Sequence, residues 1–564
     1  MEALDWLVIG VFFLALIGII VWVVRQKQND SADYFLGGRD ATWLAIGASI
    51  FASNIGSEHL IGLAGAGASS GMAMAHWEIQ GWMILILGWV FVPFYTRSMV
   101  YTMPEFLERR YNPQSRTILS VISLVSYVLT KVAVTVYAGG LVFQQVFGIK
   151  ELWGIDFFWI AAIGLVVLTA LYTIFGGMKS VLYTSVLQTP ILLLGSLIIL
   201  VLGFKELGGW DEMMRVCGAV TVNDYGDTMT NLIRSNDDAN FPWLGALIGS
   251  AIIGFWYWCT DQFIVQRVLS GKNEMEARRG TIFGAYLKLL PVFLFLIPGM
   301  IAFALHQKYI GAGGEGFLPL LANGTANADA AFPTLVAKLL PAGVKGLVVC
   351  GILAALMSSL ASLFNSSAML FTIDFYKRFK PETPEKRLVG IGQIATVVIV
   401  ILGILWIPIM RSVGDVLYTY LQDVQSVLAP GIAAAFLLGI CWKRTSAKGG
   451  MWGLIAGMII GLTRLGAKVY YSNTAITDSS MFKYLFYDLN WLFFCGWMFL
   501  FCIIVVIAVS LMTEAPSAEK IQGLVFGTST PEQKAATRAS WNHWDIIHTV
   551  IILAITAAFY WYFW

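Results

Sequence analysis

The chain has 564 residues, 58% of them hydrophobic and 12% charged, with a net charge of +2. Soluble domains carry about 25% charged residues, so the composition excludes a water-soluble fold and marks an all-α integral membrane protein. The small net charge gives no basic arm for a nucleic acid, and six scattered cysteines (217, 259, 350, 441, 495 and 502) imply neither a metal site nor a disulfide framework.

A membrane helix needs roughly 20 apolar residues. The first such span, 5–24, follows the acidic "MEALD" and lacks the basic start of a cleavable signal, so it reads as a retained helix. The second, 42–66, carries "ASNIGSEHL" at its centre, with Asn54 and His59 among its polar residues. A run of polar residues at membrane depth predicts a broken helix, and the break is centred on "SNIGS" from Ser53 to Ser57. The third span, 70–96, holds Trp77 and Glu78 in "HWEIQ"; a glutamate is too short to reach the interface, so it must line a polar cavity.

Spans at 117–147, 155–175 and 181–203 follow, and then a polar segment to 242. The seventh span, 243–266, contains "GFWYWCTDQ" from Gly254 to Gln262, a second irregularity five spans after the first. Interrupted helices at corresponding positions of two halves point to a transport site, because unwound backbone offers free carbonyls to a cation. A glycine kink in a packing helix is the plainer alternative. Tyr257 and Trp258 add aromatic faces here.

Lys288 in the eighth span, 280–305, either snorkels toward the Arg279 end or enters a cavity. The ninth span, 340–376, contains "AALMSSLASLFNSS", which sets Ala355, Ser358, Ser359 and Ser362 on one helical stripe. Such a stripe suits close packing, or hydroxyl ligation of a hard cation. After 389–410, the span 416–441 brings Gln422; spans at 448–467, 490–513 and 545–564 make fourteen. An even count puts both termini on one side. Loops on the opposite side carry roughly three times as much Lys and Arg, so both termini are predicted outside. "GASSG" at 67–71 matches a hydrolase elbow, but that motif needs a strand–turn–helix, and no enzyme motif remains.

The stretches "ASNIGSEHLIGLAGAGASSGMA", "LYTIFGGM", "WYWCTDQFIVQRVLS", "GAYLKLLPVF", "LMSSLASLFNSSAMLFTIDFY" and "FLLGICWKR" resemble the sodium/glucose cotransporters, the sugar branch of the solute:sodium symporter family. The resemblance covers about residues 30–465 and implies a LeuT-type inverted five-plus-five repeat with two broken helices. The repeats would be 42–203 and 243–441, joined by an outer segment at 204–242. Residues 1–41 would supply a first helix and inner loop, and 442–564 three accessory helices. It implies sodium-coupled symport of a neutral hexose by alternating access. Sodium would be held by backbone oxygens of Ala52, Ile55 and Ala355 and hydroxyls of Ser358 and Ser359. Asn54, His59, Glu78, Trp258, Lys288 and Gln422 would hold the sugar, with Trp77 as an aromatic wall and Tyr257 as a gate beneath it. A symporter of myo-inositol, sialic acid, proline or iodide is the alternative within the family; a channel or sensor is the alternative outside it. Compact outer segments without cysteine pairs look more like bacterial members, of the inner membrane. One departure bears on stoichiometry. Ser185 stands where relatives commonly have Asp after "YT", and Ala361 where two-sodium members tend to carry a hydroxyl, which implies one sodium per sugar.

Overall fold

The structure, a computed structural model, describes residues 1–564 apart from 27–29, 57, 322–323, 412–416 and 473–479. It is nearly all helix; among the described residues the one sheet pairs Glu151–Leu152 with Ile155–Asp156. Among the described residues, eleven helical stretches are long and apolar enough to cross a membrane. Several predicted spans share one stretch: Glu58–Ser98 and Phe157–Leu207 each run through two of them. The spans 42–66 and 117–147 are carried in part by the shorter helices Trp43–Asn54 and Ala133–Phe147. The multi-pass, all-α membrane architecture stands.

Nine helices position the site. They are α1 (Ala3–Val24), α2 (Trp43–Asn54), α3 (Phe157–Leu207), α4 (Trp243–Gly254), α5 (Gln262–Leu269), α6 (Glu274–Lys288), α7 (Val344–Met369), α8 (Leu417–Cys441) and α9 (His543–Tyr562). In lipid the apolar effect does not drive helix association, so small residues that let backbones approach do much of the work. A Cβ on Gly280 of α6 would lie 2.6 Å from Cγ2 of Ile46 on α2. Likewise a Cβ on Gly195 of α3 would meet Cα of Val348 on α7 at 3.3 Å. These contacts lay α2 against α6 and α3 along α7.

Helix α3 is two helices joined across a kink, and so two membrane passes. Gly177 takes φ +54° and ψ −148° inside it, a left-handed conformation that a side chain disfavours. The chain turns there, between the predicted spans 155–175 and 181–203. At the other end of the sequence's first helix, Asp5 accepts backbone N–H bonds from Gly343 (2.7 Å) and Gly346 (2.8 Å), so α1 caps the start of α7.

Candidate solute and cation sites

Both predicted breaks are present. Helix α2 stops at Asn54; Ile55 is extended, with φ −78° and ψ 106°, and the chain coils again as a wide π-turn over Glu58–Leu63. Ser57, inside the break, lies outside the described residues. In the second, α4 widens into a π-turn over Phe255–Thr260 and stops at Asp261, extended at φ −76° and ψ 126°, before α5 begins. The interruption falls at the far end of "GFWYWCTDQ", because the wide turn keeps Trp256, Tyr257 and Trp258 helical. Each break is a short extended joint that leaves peptide groups without helical partners.

Between the joints lies a cavity of about 60 Å³. Asn54, His59, Trp77, Glu78, Tyr257, Trp258 and Lys288, all expected from the sequence, line it. Gln422 lies in α8, and its side chain is outside the described residues; Gln425, one turn on, lines the cavity. Gln80 and Glu58 also line it, and neither was expected.

A connected polar network forms the wall. Lys288 Nζ donates to Glu78 Oε2 at 2.6 Å, and His59 Nε2 stands 3.3 Å from the same oxygen. Asn54 Nδ2 lies 3.1 Å from His59 Nε2, and the Lys288 ammonium sits 5.4 Å from the Trp258 ring centre. Lys288 therefore does not snorkel; it is buried and paired. The two buried charges of this pair cancel, so the Glu78–Lys288 side of the wall offers hydrogen bonds without net charge. Two atoms of the lining, His59 Nδ1 and Trp77 Nε1, are buried without a hydrogen-bond partner among the described residues. A buried orphan of this kind calls for a missing partner. A cavity of this size holds about two waters, so a ring-sized guest requires the wall to part.

Tyr257 also borders a second cavity of about 20 Å³, with Lys131, Phe263 and Ser359 in its lining. Tyr257, Glu58 and Gln425 line both cavities and so form the partition between them. Lys131 Nζ pairs with Asp261 Oδ2 at 2.6 Å and lies 4.8 Å from the Tyr257 ring centre. Tyr127 donates its hydroxyl to Asp261 Oδ1 and accepts the Phe263 N–H at 3.0 Å. Thus the second joint is fixed by a buried ion pair that sequence reasoning missed. The signal was present: a lysine in "LTKVAV" and an aspartate in "CTDQ" are both charges at membrane depth.

The expected cation residues cluster where the first joint meets α7. Ser359 Oγ is 3.0 Å from the carbonyl oxygens of both Ser53 and Ile55. Ser53 and Ser362 hydroxyls touch at 2.6 Å, and Ser358 Oγ lies 3.3 Å from Ser185 Oγ, which itself donates to Val181 O at 2.6 Å. Ala52 and Ala355 are buried in the same two helices. The donor set is neutral oxygen, the chemistry of a hard cation such as sodium.

Two broken helices around a polar cavity, with an oxygen-lined joint beside it, define an ion-coupled membrane carrier. The model of the sodium:solute symporter family matches residues 34–457, and the chain belongs to that family. It is 37% identical to sodium/myo-inositol cotransporter 2 of Mus musculus, over 94% of this chain and 80% of that protein. It is 35% identical to sodium/glucose cotransporter 4 of Danio rerio, over 92% of this chain and 80% of that one. Among solved structures, a substrate-bound, outward-open Na+-coupled sialic acid symporter aligns with a TM-score of 0.73 and 22% identity. That alignment covers 92% of this chain and 99% of the symporter, and gives the LeuT-type fold. The protein is thus a sodium-coupled solute symporter, not an enzyme, and sodium is its co-transported ion.

Proposed function

We propose that the protein carries out sodium-coupled symport of a neutral hexose, such as glucose or galactose, by alternating access. The two orphaned polar atoms, His59 Nδ1 and Trp77 Nε1, carry this reading. A polyhydroxylated ring supplies both with partners, and its C–H faces match the Trp77, Tyr257 and Trp258 rings. Asn54, His59, Glu78, Lys288 and Gln422 bind its hydroxyls, and Tyr257 closes the floor. Sodium occupies the joint, held by the carbonyls of Ala52, Ile55 and Ala355 and the hydroxyls of Ser358 and Ser359, and so orders the broken helix for the sugar. The moving halves are the repeats 42–203 and 243–441, and both termini face outward from a plasma membrane.

One sodium moves per sugar. Ser185 offers a neutral oxygen already engaged with Val181 O, and Ala361 presents only a methyl group to the neighbouring position. Neither compensates a second buried cation. A myo-inositol carrier is the second reading, favoured by the relatives so named. The test is uptake by proteoliposomes of the purified protein under an inward sodium gradient, with labelled glucose, galactose and myo-inositol in competition. Sodium-driven hexose accumulation supports the first reading; accumulation of inositol alone replaces it with the second.

A further inference from the structure

Every oxygen of the expected cation set is neutral. A cation held at membrane depth by neutral oxygens keeps most of its charge uncompensated, and a carboxylate nearby removes much of that cost. Among the described residues, the two cavities have three such carboxylates in or beside their linings. Glu78 is taken by Lys288 and Asp261 by Lys131, each at 2.6 Å. Glu58 is different. It begins the helical turn just past the joint and lines both cavities. Among the described residues its carboxylate makes no hydrogen bond or ion pair. The place a Cβ on Gly56 would occupy lies 2.6 Å from Glu58 Oε2 and 3.1 Å from Ser359 Oγ. The carboxylate and the hydroxyl therefore flank the same bare glycine of the joint.

We propose that Glu58 is the countercharge for the co-transported sodium: its carboxylate, across Gly56 from Ser359, stabilises the ion without being one of the neutral oxygens that enclose it. This rests on the placement of sodium at Ser359 under the reading above. Two features fit the role. The cations of both cavities, Lys131 and Lys288, already have partners, so neither neutralises Glu58 in place of sodium. Gly56, with no side chain, leaves the path between carboxylate and joint open.

The test is equilibrium binding of radiolabelled sodium to the purified full-length protein without solute. A charge a few ångströms away, partly screened, is worth about five- to fifty-fold in affinity. Glu58→Gln should weaken sodium binding by that factor, and Glu58→Asp should restore most of it. Glu58→Ser serves as a second neutral variant, and the thermal melting of each selects those that fold. Unchanged sodium affinity in a folded neutral variant overturns the proposal. So does a loss of hexose affinity at saturating sodium with sodium affinity intact, which makes Glu58 a sugar ligand. Ser359→Ala separates this from failure of the cation reading. If Ser359→Ala weakens sodium and Glu58→Gln does not, only the countercharge falls; if neither does, sodium is not bound at this joint.

Discussion

Ser359 holds two carbonyls of the first joint at once, and its hydroxyl hydrogen serves only one of them at a time. A cation in its place would satisfy both. Ser359→Ala removes that oxygen while keeping the small side chain that the packing requires, so the half-saturating sodium concentration should rise with thermal stability intact; an unchanged sodium dependence assigns the stripe to packing alone. On the solute side, Glu78→Ala leaves Lys288 buried without a partner and the guest without an acceptor. Loss of a buried polar partner costs about 1–3 kcal/mol, roughly five- to 150-fold in affinity, and equilibrium binding of labelled hexose reads it directly. Gln422→Ala should cost the same order, and wild-type affinity in either variant removes that residue from the site. Ser185→Asp tests stoichiometry: the reversal potential of the wild type should correspond to one sodium per sugar, and the substitution alone should not raise it to two. A wild-type value of two contradicts the neutral-serine argument.

At the scale of elements, the breaks were legible and their supports were not. The run "ASNIGSEHL" betrayed the first joint because its polar groups are too costly in lipid for an unbroken helix with nothing to bind. The aromatic stretch after Gly254 betrayed the second. Residue pairs that lock the site are far apart in the chain: Glu78 and Lys288 are 210 positions apart, Lys131 and Asp261 130. No periodicity links such positions, so the intramembrane charges were visible one by one while their pairing was not. Glu58 lies in the same polar run as His59, but sequence spacing does not show that its carboxylate borders both cavities. The last helix was silent in sequence, and its placement explains it. Tyr560 bonds His76 Nδ1 at 3.0 Å, and Phe563 O accepts from Leu232 N at 3.0 Å. The end of α9 therefore ties His76, next to Trp77 and Glu78, to the 208–242 segment. Tyr560→Phe deletes one hydrogen bond worth about 1 kcal/mol. Hexose affinity should fall about two- to fivefold with sodium affinity unchanged; no change in hexose binding means that α9 does not support the wall.

For the whole molecule, the decisive feature is that one short segment, Ser53 to His59, reaches both sites. Its carbonyls at Ser53 and Ile55 face Ser359, while Asn54 and His59 line the first cavity. An ion that orders this segment orders the solute wall as well, which is how coupling arises without covalent chemistry. Because the coupling is a free energy shared by two ligands, it is reciprocal: sodium must tighten sugar binding by the factor by which sugar tightens sodium binding. The direct measurement is a matched pair of equilibrium titrations on the purified protein, labelled hexose with and without saturating sodium, and labelled sodium with and without saturating hexose. The account predicts that the two affinity ratios are equal and well above one. Hexose binding that is indifferent to sodium would contradict it.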